Sequence, residues 1–527
     1  MAASLHPDEF DLMPTLAEMA RHHGRTRANK IAQSFEGRLT TYAELDAHAS
    51  QVADALIAEG VKPGDCVAYL GKNSDQYFEL LLGAAKAGAV TAPIGWRLSA
   101  GEVAYILDDA QAKLLFVGPE VTETAEAAVA QSQAKPRIIA MEAPFEAWRD
   151  ARPETDPMIE VGPNDTALLL YTSGTTGRPK GVMLTSANLM RSRRALAEAR
   201  MGWNEWNDGE VNLVAMPAAH IGGTGWGLVG LINGVRNYIT REFNPIEAME
   251  LIQKERIAKM FLVPAALQFM VRLPRAREID YSSLKTILYG ASPIPLDLLR
   301  ECMDVFGCGF CQQYGMTETT GTIVYLPPED HDPAGNQRMR SAGKPMPGVE
   351  MRVIDAEGNA LPPGQIGEIC TRSAANMAGY WRNADATTST VADDGWLRTG
   401  DAGYLDEDGY VFIQDRIKDM IISGAENIYP AEVESAIFGH PAVAEVAVIG
   451  VPDETWGESV KAIVVPKPGA EQNADDIIAF AKTRIAAFKA PKSVDFREQP
   501  LPRNPTGKVL RRELREPYWA GKERRVN

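Results

Sequence analysis

Between Tyr171 and Gly181 the chain runs Tyr-Thr-Ser-Gly-Thr-Thr-Gly-Arg-Pro-Lys-Gly. Hydroxyls on Thr172, Ser173, Thr175 and Thr176, the glycines Gly174 and Gly177, and the cations Arg178 and Lys180 fall within ten residues. Glycine lets a backbone turn its N–H groups toward one point, and hydroxyl side chains add donors to that nest. A polyphosphate is the ligand such a loop suits. It is not a Walker A loop, which needs Gly-x4-Gly-Lys-Ser/Thr, because Arg178 and Pro179 separate Gly177 from Lys180 and a glycine follows. The same composition also makes solvated loops, so the phosphate reading depends on what else converges there.

Two other patterns invite a function and do not sustain it. Gly225-Trp-Gly-Leu-Val-Gly230 satisfies GxGxxG, but a dinucleotide site needs a strand just before it and an acidic residue about 20 positions on. It opens instead inside a stretch without Asp, Glu, Lys or Arg (211–235), which favours small-residue packing or the wall of an apolar pocket. Cys308-Gly-Phe-Cys311 looks like a redox pair, yet it sits in an apolar, strand-like run rather than at a helix start where a thiolate is stabilised. Buried core cysteines are expected, and Cys302 and His331 lack zinc-ligand spacing.

These residues need elements to hold them. Strand-like runs at 166–171, 259–263, 284–289 and 309–314 alternate with amphipathic stretches at 245–256 and 295–305. That alternation predicts parallel sheets covered by helices. The first 120 residues repeat it, with helices expected at 42–59 and 77–87 around a strand at 66–70. Beyond about residue 340 Gly and Pro thicken, and runs near 350–354, 366–371 and 410–413 read as antiparallel strands. From about 416 a smaller α+β unit is expected: helix 431–438, strands 444–450 and 460–465, helix 474–487. The charge-free stretch is long enough to cross a bilayer, but its six glycines, proline and His220 predict a buried strand, loop and helix.

At this point the chain resembles the adenylate-forming superfamily, and within it the acyl-CoA synthetases. Tyr171–Gly181 is similar to that family's phosphate loop, and five further motifs follow in its order. They are Tyr289-Gly-Ala-Ser-Pro293, Tyr314-Gly-Met-Thr-Glu318, Thr399-Gly-Asp401, the run Asp415-Arg-Ile-Lys-Asp419 with Ser423 to Glu432, and Pro502 to Lys508. The resemblance implies a large N-terminal domain (1–415) of stacked α/β subdomains with a distorted β-barrel subdomain. A hinge (416–419) and a small, mobile α+β C-terminal domain (420–527) would follow. It implies that ATP and a carboxylic acid give an acyl-adenylate and pyrophosphate, and that the CoA thiol then displaces AMP.

Residue roles follow from the same resemblance. Thr172, Ser173, Gly174, Thr175, Thr176, Gly177 and Lys180 would hold the β- and γ-phosphates, and Thr317 would donate to the α-phosphate. Glu318 would hold Mg²⁺. Gly290, Ala291 and Ser292 would line the adenine, and Tyr314 would stack on it. Asp401, with Arg416 assisting, would bind the ribose hydroxyls. Lys508 would bridge the acid and the α-phosphate, and Lys418 would be the hinge. Gly424 would let the pantetheine arm pass, Lys489 and Lys492 would meet CoA phosphates, and His220, in Pro217-Ala-Ala-His, would stand beside the substrate carboxylate.

Composition bounds the rest. The 527 residues are 45% hydrophobic and 24% charged, with five cysteines and a net charge of −16. That excludes a disulfide scaffold, a disordered chain and a dedicated nucleic-acid binder, and it suits the cytoplasm. No secretory or membrane-spanning segment is expected; peripheral membrane contact and a homodimer are compatible with such a chain. No aspartate follows Pro217 to hold an α-ammonium group, so the acid is expected to be apolar: a medium- or long-chain fatty acid first. Aryl-propenoic or steroid side-chain acids come second, with Trp226 and Tyr238 stacking on their rings, and a non-CoA acceptor remains open.

Overall fold

The structure, a computed structural model, describes residues 5–173, 178–423, 426–503 and 509–520. Lys508, Gly174, Thr175, Thr176, Gly177 and Gly424 lie outside the described residues, as do the side chains of Ser173 and Lys418.

Among the described residues four sheets form, and the expected rhythm produces them. In the first, Cys66–Leu70, Val90–Ile94, Leu114–Val117 and Arg137–Ala140 pair in parallel, and Thr166–Ser173 runs parallel to Val90–Ile94. Pro179–Thr185 and Gly379–Tyr380 complete that sheet on one edge with antiparallel pairing. The second sheet has Ile257–Leu262 between Val211–Val214 and Thr286–Gly290, with Gly309–Met316 beyond, all parallel. A third, antiparallel sheet is ordered Val349–Ile354, Gly367–Ser373, Leu397–Leu405, Val411–Arg416. The fourth is built wholly from residues beyond 420, around the long hairpin of Val443–Asp453 and Gly457–Pro466. Its neighbouring helix Ala474–Lys482 ends five residues short of the expected 487, where Thr483 donates its hydroxyl to the Phe480 carbonyl.

Local signals start the helices. Tyr42–Ala58 begins at a reciprocal cap, in which the Thr41 hydroxyl accepts the Glu44 N–H and the Glu44 carboxylate accepts the Thr41 N–H. Pro245–Glu255 begins at Asn244, which accepts two N–H groups, and ends at Arg256 in the left-handed region. Two helices, Asp75–Lys86 and Ile221–Ile232, are buried nearly all round and belong to the core that joins the two large sheets. The charge-free stretch is thus a buried strand and helix, as its composition predicts, and no helix of the described residues is long and apolar enough to cross a membrane.

The GxGxxG residues lie inside helix Ile221–Ile232, not on a strand-to-helix turn. A Cβ on Gly227 would sit 2.2 Å from Phe78 Cζ, so the glycine is there to let two buried helices approach. Cys311 lies fully buried in its strand, and burial pushes the Cys308 thiol up to about 12. Neither thiol suits redox work at neutral pH. Gly227→Ala is expected to lower the unfolding free energy by about 1–3 kcal/mol, the usual range for overpacking a tight core. Chemical denaturation measures it, and an unchanged midpoint would contradict the packing account.

Candidate active site

The phosphate-loop candidate is flanked by two paired strands. Tyr171 pairs with Gly181, Thr172 with Lys180 and Ser173 with Pro179, so the residues on either side of 174–177 lie side by side at one edge of the sheet. Aromatic side chains frame that point. The Tyr171 hydroxyl donates to Asp109 Oδ2 at 2.7 Å, and the Tyr105 hydroxyl donates to the Pro179 carbonyl at 3.2 Å. Trp381 donates its backbone N–H to Gly181 and its indole N–H to the Asp109 carbonyl. Burial beside Asp109 drives the Tyr171 hydroxyl pKa far upward, so it stays a donor. Sequence reasoning missed Tyr105, Asp109 and Trp381; their only local signal is Gly379-Tyr-Trp in a turn-rich segment.

Glu318 converges on this hairpin from the other large sheet. It follows strand Gly309–Met316 in a short turn, Thr317–Thr319, and is 6% exposed. Thr172 Oγ1 donates to Glu318 Oε1 at 3.4 Å, and the Tyr380 hydroxyl donates to the same oxygen at 3.0 Å. Lys180 Nζ lies 4.8 Å from the centroid of the Tyr380 ring and has no ion pair among the described residues. Thr317 is half-buried, and its hydroxyl makes no hydrogen bond among the described residues. A lone buried carboxylate beside a phosphate loop fits Mg²⁺, which binds through one or two carboxylates plus substrate phosphates.

A second carboxylate stands nearby. Asp401 is 4% exposed; its Oδ1 meets Arg416 Nε at 2.7 Å and its Oδ2 accepts the Tyr314 hydroxyl at 2.6 Å. Asp401 and Arg416 are register partners on adjacent antiparallel strands, which fixes the pair. Tyr314 and Glu318 flank a single strand end, so one strand serves both carboxylates. Strand Thr286–Gly290 ends alongside, and a Cβ on Gly290 would lie 2.1 Å from the Gln313 carbonyl oxygen. Ala291 then turns with φ of +67°, and Ser292 follows half-buried. Site residues thus gather beyond the C-terminal ends of parallel strands, where open α/β sheets place their ligands.

His220 caps the start of helix Ile221–Ile232 in extended conformation. Its loop is pinned by Asn73, which accepts the Ala218 N–H at 2.8 Å and donates to the Met216 and Thr240 carbonyls. Tyr77 and Thr224 extend the network, with the Thr224 hydroxyl donating to the Ala218 carbonyl. His220 Nε2 is buried and has no partner, and desolvation pulls the imidazole down to about 4.

The ring-stacking expectation is corrected here. Trp226 is 8% exposed, donates its indole N–H to Leu213, and packs between Trp206 and Phe261 as core. Tyr238 faces the other side of the sheet: its neighbour Asn237 donates to Gly227 in the helix, so the alternating strand turns Tyr238 away. Lys489 is held by Glu432 at 2.8 Å, while Lys492 is exposed.

Two histidines make a pH prediction. Burial holds His220 down to about 4 and His23 down to about 3, so the unfolded chain binds protons that the folded chain refuses as pH falls below 6.5. Stability is therefore full above pH 6.5 and declines toward pH 4. Each group contributes on the order of 1–2 kcal/mol of that loss by pH 5. Denaturation at pH 7 and pH 5 measures it, and His220→Gln is expected to flatten the slope.

A family model described as AMP-binding enzyme matches residues 20–381, and one described as AMP-binding enzyme C-terminal domain matches residues 432–508. The chain is 44% identical over 519 residues to the fatty acid–[acyl-carrier-protein] ligase ScoC of Streptomyces coeruleorubidus, covering 98% of each chain. It is 40% identical to a feruloyl-CoA synthase of an Amycolatopsis species, covering 94% of this chain and 97% of that one. Among solved structures, ATP-bound MatB of Rhodopseudomonas palustris superposes with a TM-score of 0.86 at 32% identity, covering 96% of this chain and 99% of that one. The chain belongs to the AMP-binding enzymes, as an acyl-CoA synthetase of the adenylate-forming superfamily.

Proposed function

We propose that this ligase activates an apolar carboxylic acid, foremost a medium- or long-chain fatty acid, as its acyl-adenylate and passes it to the CoA thiol. The observation that carries the adenylating half is the meeting of Thr172 and Glu318, 146 residues apart, at the mouth of the phosphate hairpin. A carboxylate is a poor acceptor because oxide is a very poor leaving group. Attack of its oxygen on the α-phosphorus expels pyrophosphate and installs AMP, a good leaving group. Thiolate attack on the carbonyl then releases AMP.

The first step brings two anions together, so donors and cations must face the α-phosphate. In this reading Lys180 and the hairpin hold the outer phosphates, and Thr317 donates to the α-phosphate. Asp401 accepts from the ribose hydroxyls, while Tyr314 and the Gly290–Ser292 turn enclose the adenine. Glu318 would hold Mg²⁺, which supplies charge neutralisation at the phosphates. Neutral His220 would donate to the substrate carboxylate without pairing to it as an ion. Lys508 bridges the two reacting anions, and the chain from 420 onward turns about residues 416–419 to exchange Lys508 for the segment around Gly424.

The fatty-acid preference rests on the charge-free wall from Val211 to Val235 and on small Ala218 and Ala219 next to His220. A second reading, transfer to a carrier-protein thiol, is favoured by the name of the ScoC relative.

Two measurements test the proposal. AMP release from ATP and Mg²⁺, with a panel from acetate through palmitate to cinnamates and a steroid acid, should peak on a fatty acid and depend on CoA. A peak on a cinnamate or steroid acid would overturn the substrate assignment, and release driven by a carrier protein but not CoA would overturn the acceptor. Lys508→Ala should cut adenylate formation by about 10²-fold or more, the usual effect of removing a positioned charge, while sparing thioester formation from supplied acyl-adenylate. Equal loss in both halves would make the lysine structural.

A further inference from the structure

Arg511 opens helix Arg511–Trp519, three residues after Lys508, and its guanidinium is largely buried. It meets three carboxylates. Glu434 takes it in a forked pair, Nη2 to Oε2 at 2.7 Å and Nε to Oε1 at 3.1 Å. Asp415 Oδ1 lies 3.3 Å and Asp419 Oδ2 3.9 Å from Nη1. Glu434 sits in helix Pro430–Phe438 and also accepts the Val448 N–H, so it is fixed within the C-terminal unit.

Asp415 is different, because it precedes the 416–419 segment. It lies in strand Val411–Arg416, is 8% exposed, and its second oxygen accepts the Ala431 N–H at 2.9 Å at the start of helix Pro430–Phe438. One carboxylate thus receives two groups from the far side of that segment. Its neighbour Arg416 binds Asp401 in the nucleotide site. Arg511 stands three residues beyond Lys508 in the sequence, so this contact ties the chain that carries the lysine to the strand that carries Arg416.

We propose that Asp415 and Arg511 form a latch across the hinge, a pair of positioning residues that hold the C-terminal unit in the arrangement presenting Lys508 to the nucleotide. The inference rests on the two-step reading above. Glu434 stays with Arg511 throughout, as the fixed jaw, whereas the contacts to Asp415 break and re-form in each turnover. Neither residue touches substrate.

The test separates the half-reactions and adds a readout that needs no turnover. Asp415→Asn keeps an acceptor for the Ala431 N–H but removes the charge; Arg511→Lys keeps a charge but not the fork. Pyrophosphate–ATP exchange should fall about 10-fold or more in Asp415→Asn, since small misplacement of a reacting group costs up to about 10². Thioester formation from supplied acyl-adenylate should stay at the wild-type rate, ATP affinity should not change, and Arg511→Lys should fall between. Trypsin cleavage at Arg416 and Lys418 in the resting enzyme should rise about 5-fold or more in Asp415→Asn, as cleavage tracks the opened population. Equal loss in both half-reactions, weaker ATP binding in step with exchange, or unchanged trypsin cleavage would each overturn the latch. If the wild-type enzyme made no adenylate at all, the two-step reading would fail, while trypsin protection would still decide whether Asp415 holds the hinge closed.

Discussion

The ion pair between Arg416 and Asp401 is the contact around which this site is arranged. A buried carboxylate needs compensation, and register pairing of two antiparallel strands supplies it without a long flexible reach. Burial works against the charge on Arg416, but the negative charge of Asp401 outweighs it and leaves the guanidinium above its ordinary pKa, so the pair remains ionic. Tyr314 takes the remaining oxygen and thereby ties the end of a strand in the large parallel sheet to the antiparallel sheet. Because side chains alternate along a strand, Asp415 points away from Arg416 and toward Ala431 and Arg511. Two adjacent residues therefore face Asp401 on one side and the unit built beyond residue 420 on the other.

In the function proposed above, the remaining groups address one electrostatic problem, the approach of a carboxylate to a phosphate. Glu318 is satisfied by hydroxyls of Thr172 and Tyr380 rather than by a protein cation. That arrangement keeps Lys180 without an ion pair among the described residues. His220 is kept neutral by desolvation, which suits a donor beside an anionic substrate. Rigidity comes from behind: Asn73 pins the His220 loop, and Tyr105, Asp109 and Trp381 pin both arms of the phosphate hairpin. Asn73 is itself buried, whereas Tyr105, Asp109 and Trp381 are half-buried and act through their hydrogen bonds.

Much of this was legible in the residue order. The Gly-Ser-Thr run, the run from Tyr314 to Glu318 and the Thr-Gly-Asp at 401 stand out locally by residue type, and strand–helix alternation predicted the sheets that bring their described residues together. The charge-free stretch declared its burial through glycines no bilayer segment would need. Tertiary partners were not legible. Asn73 acts on Ala218 and Trp381 acts on Asp109, across sequence gaps that no local pattern marks. Tyr238 failed as a ring-stacker through strand parity alone: one residue of register decides which face it meets, and periodicity in a four-residue strand cannot say which face is which. In the sequence Arg511 is one of several arginines that follow Lys508; only the fold sets three carboxylates around it.

Carboxylate-dependent exchange of labelled pyrophosphate into ATP, without CoA, bears most directly on the account. It reports formation and reversal of an acyl-adenylate and nothing later in the cycle. The arrangement of Thr172, Glu318, Asp401 and Arg416 predicts exchange that requires both Mg²⁺ and an acid, with AMP rather than ADP as the nucleotide product once a thiol is added. Exchange without any acid, or acid-dependent release of ADP and phosphate, would contradict it, because either result would place the chemistry away from the α-phosphate.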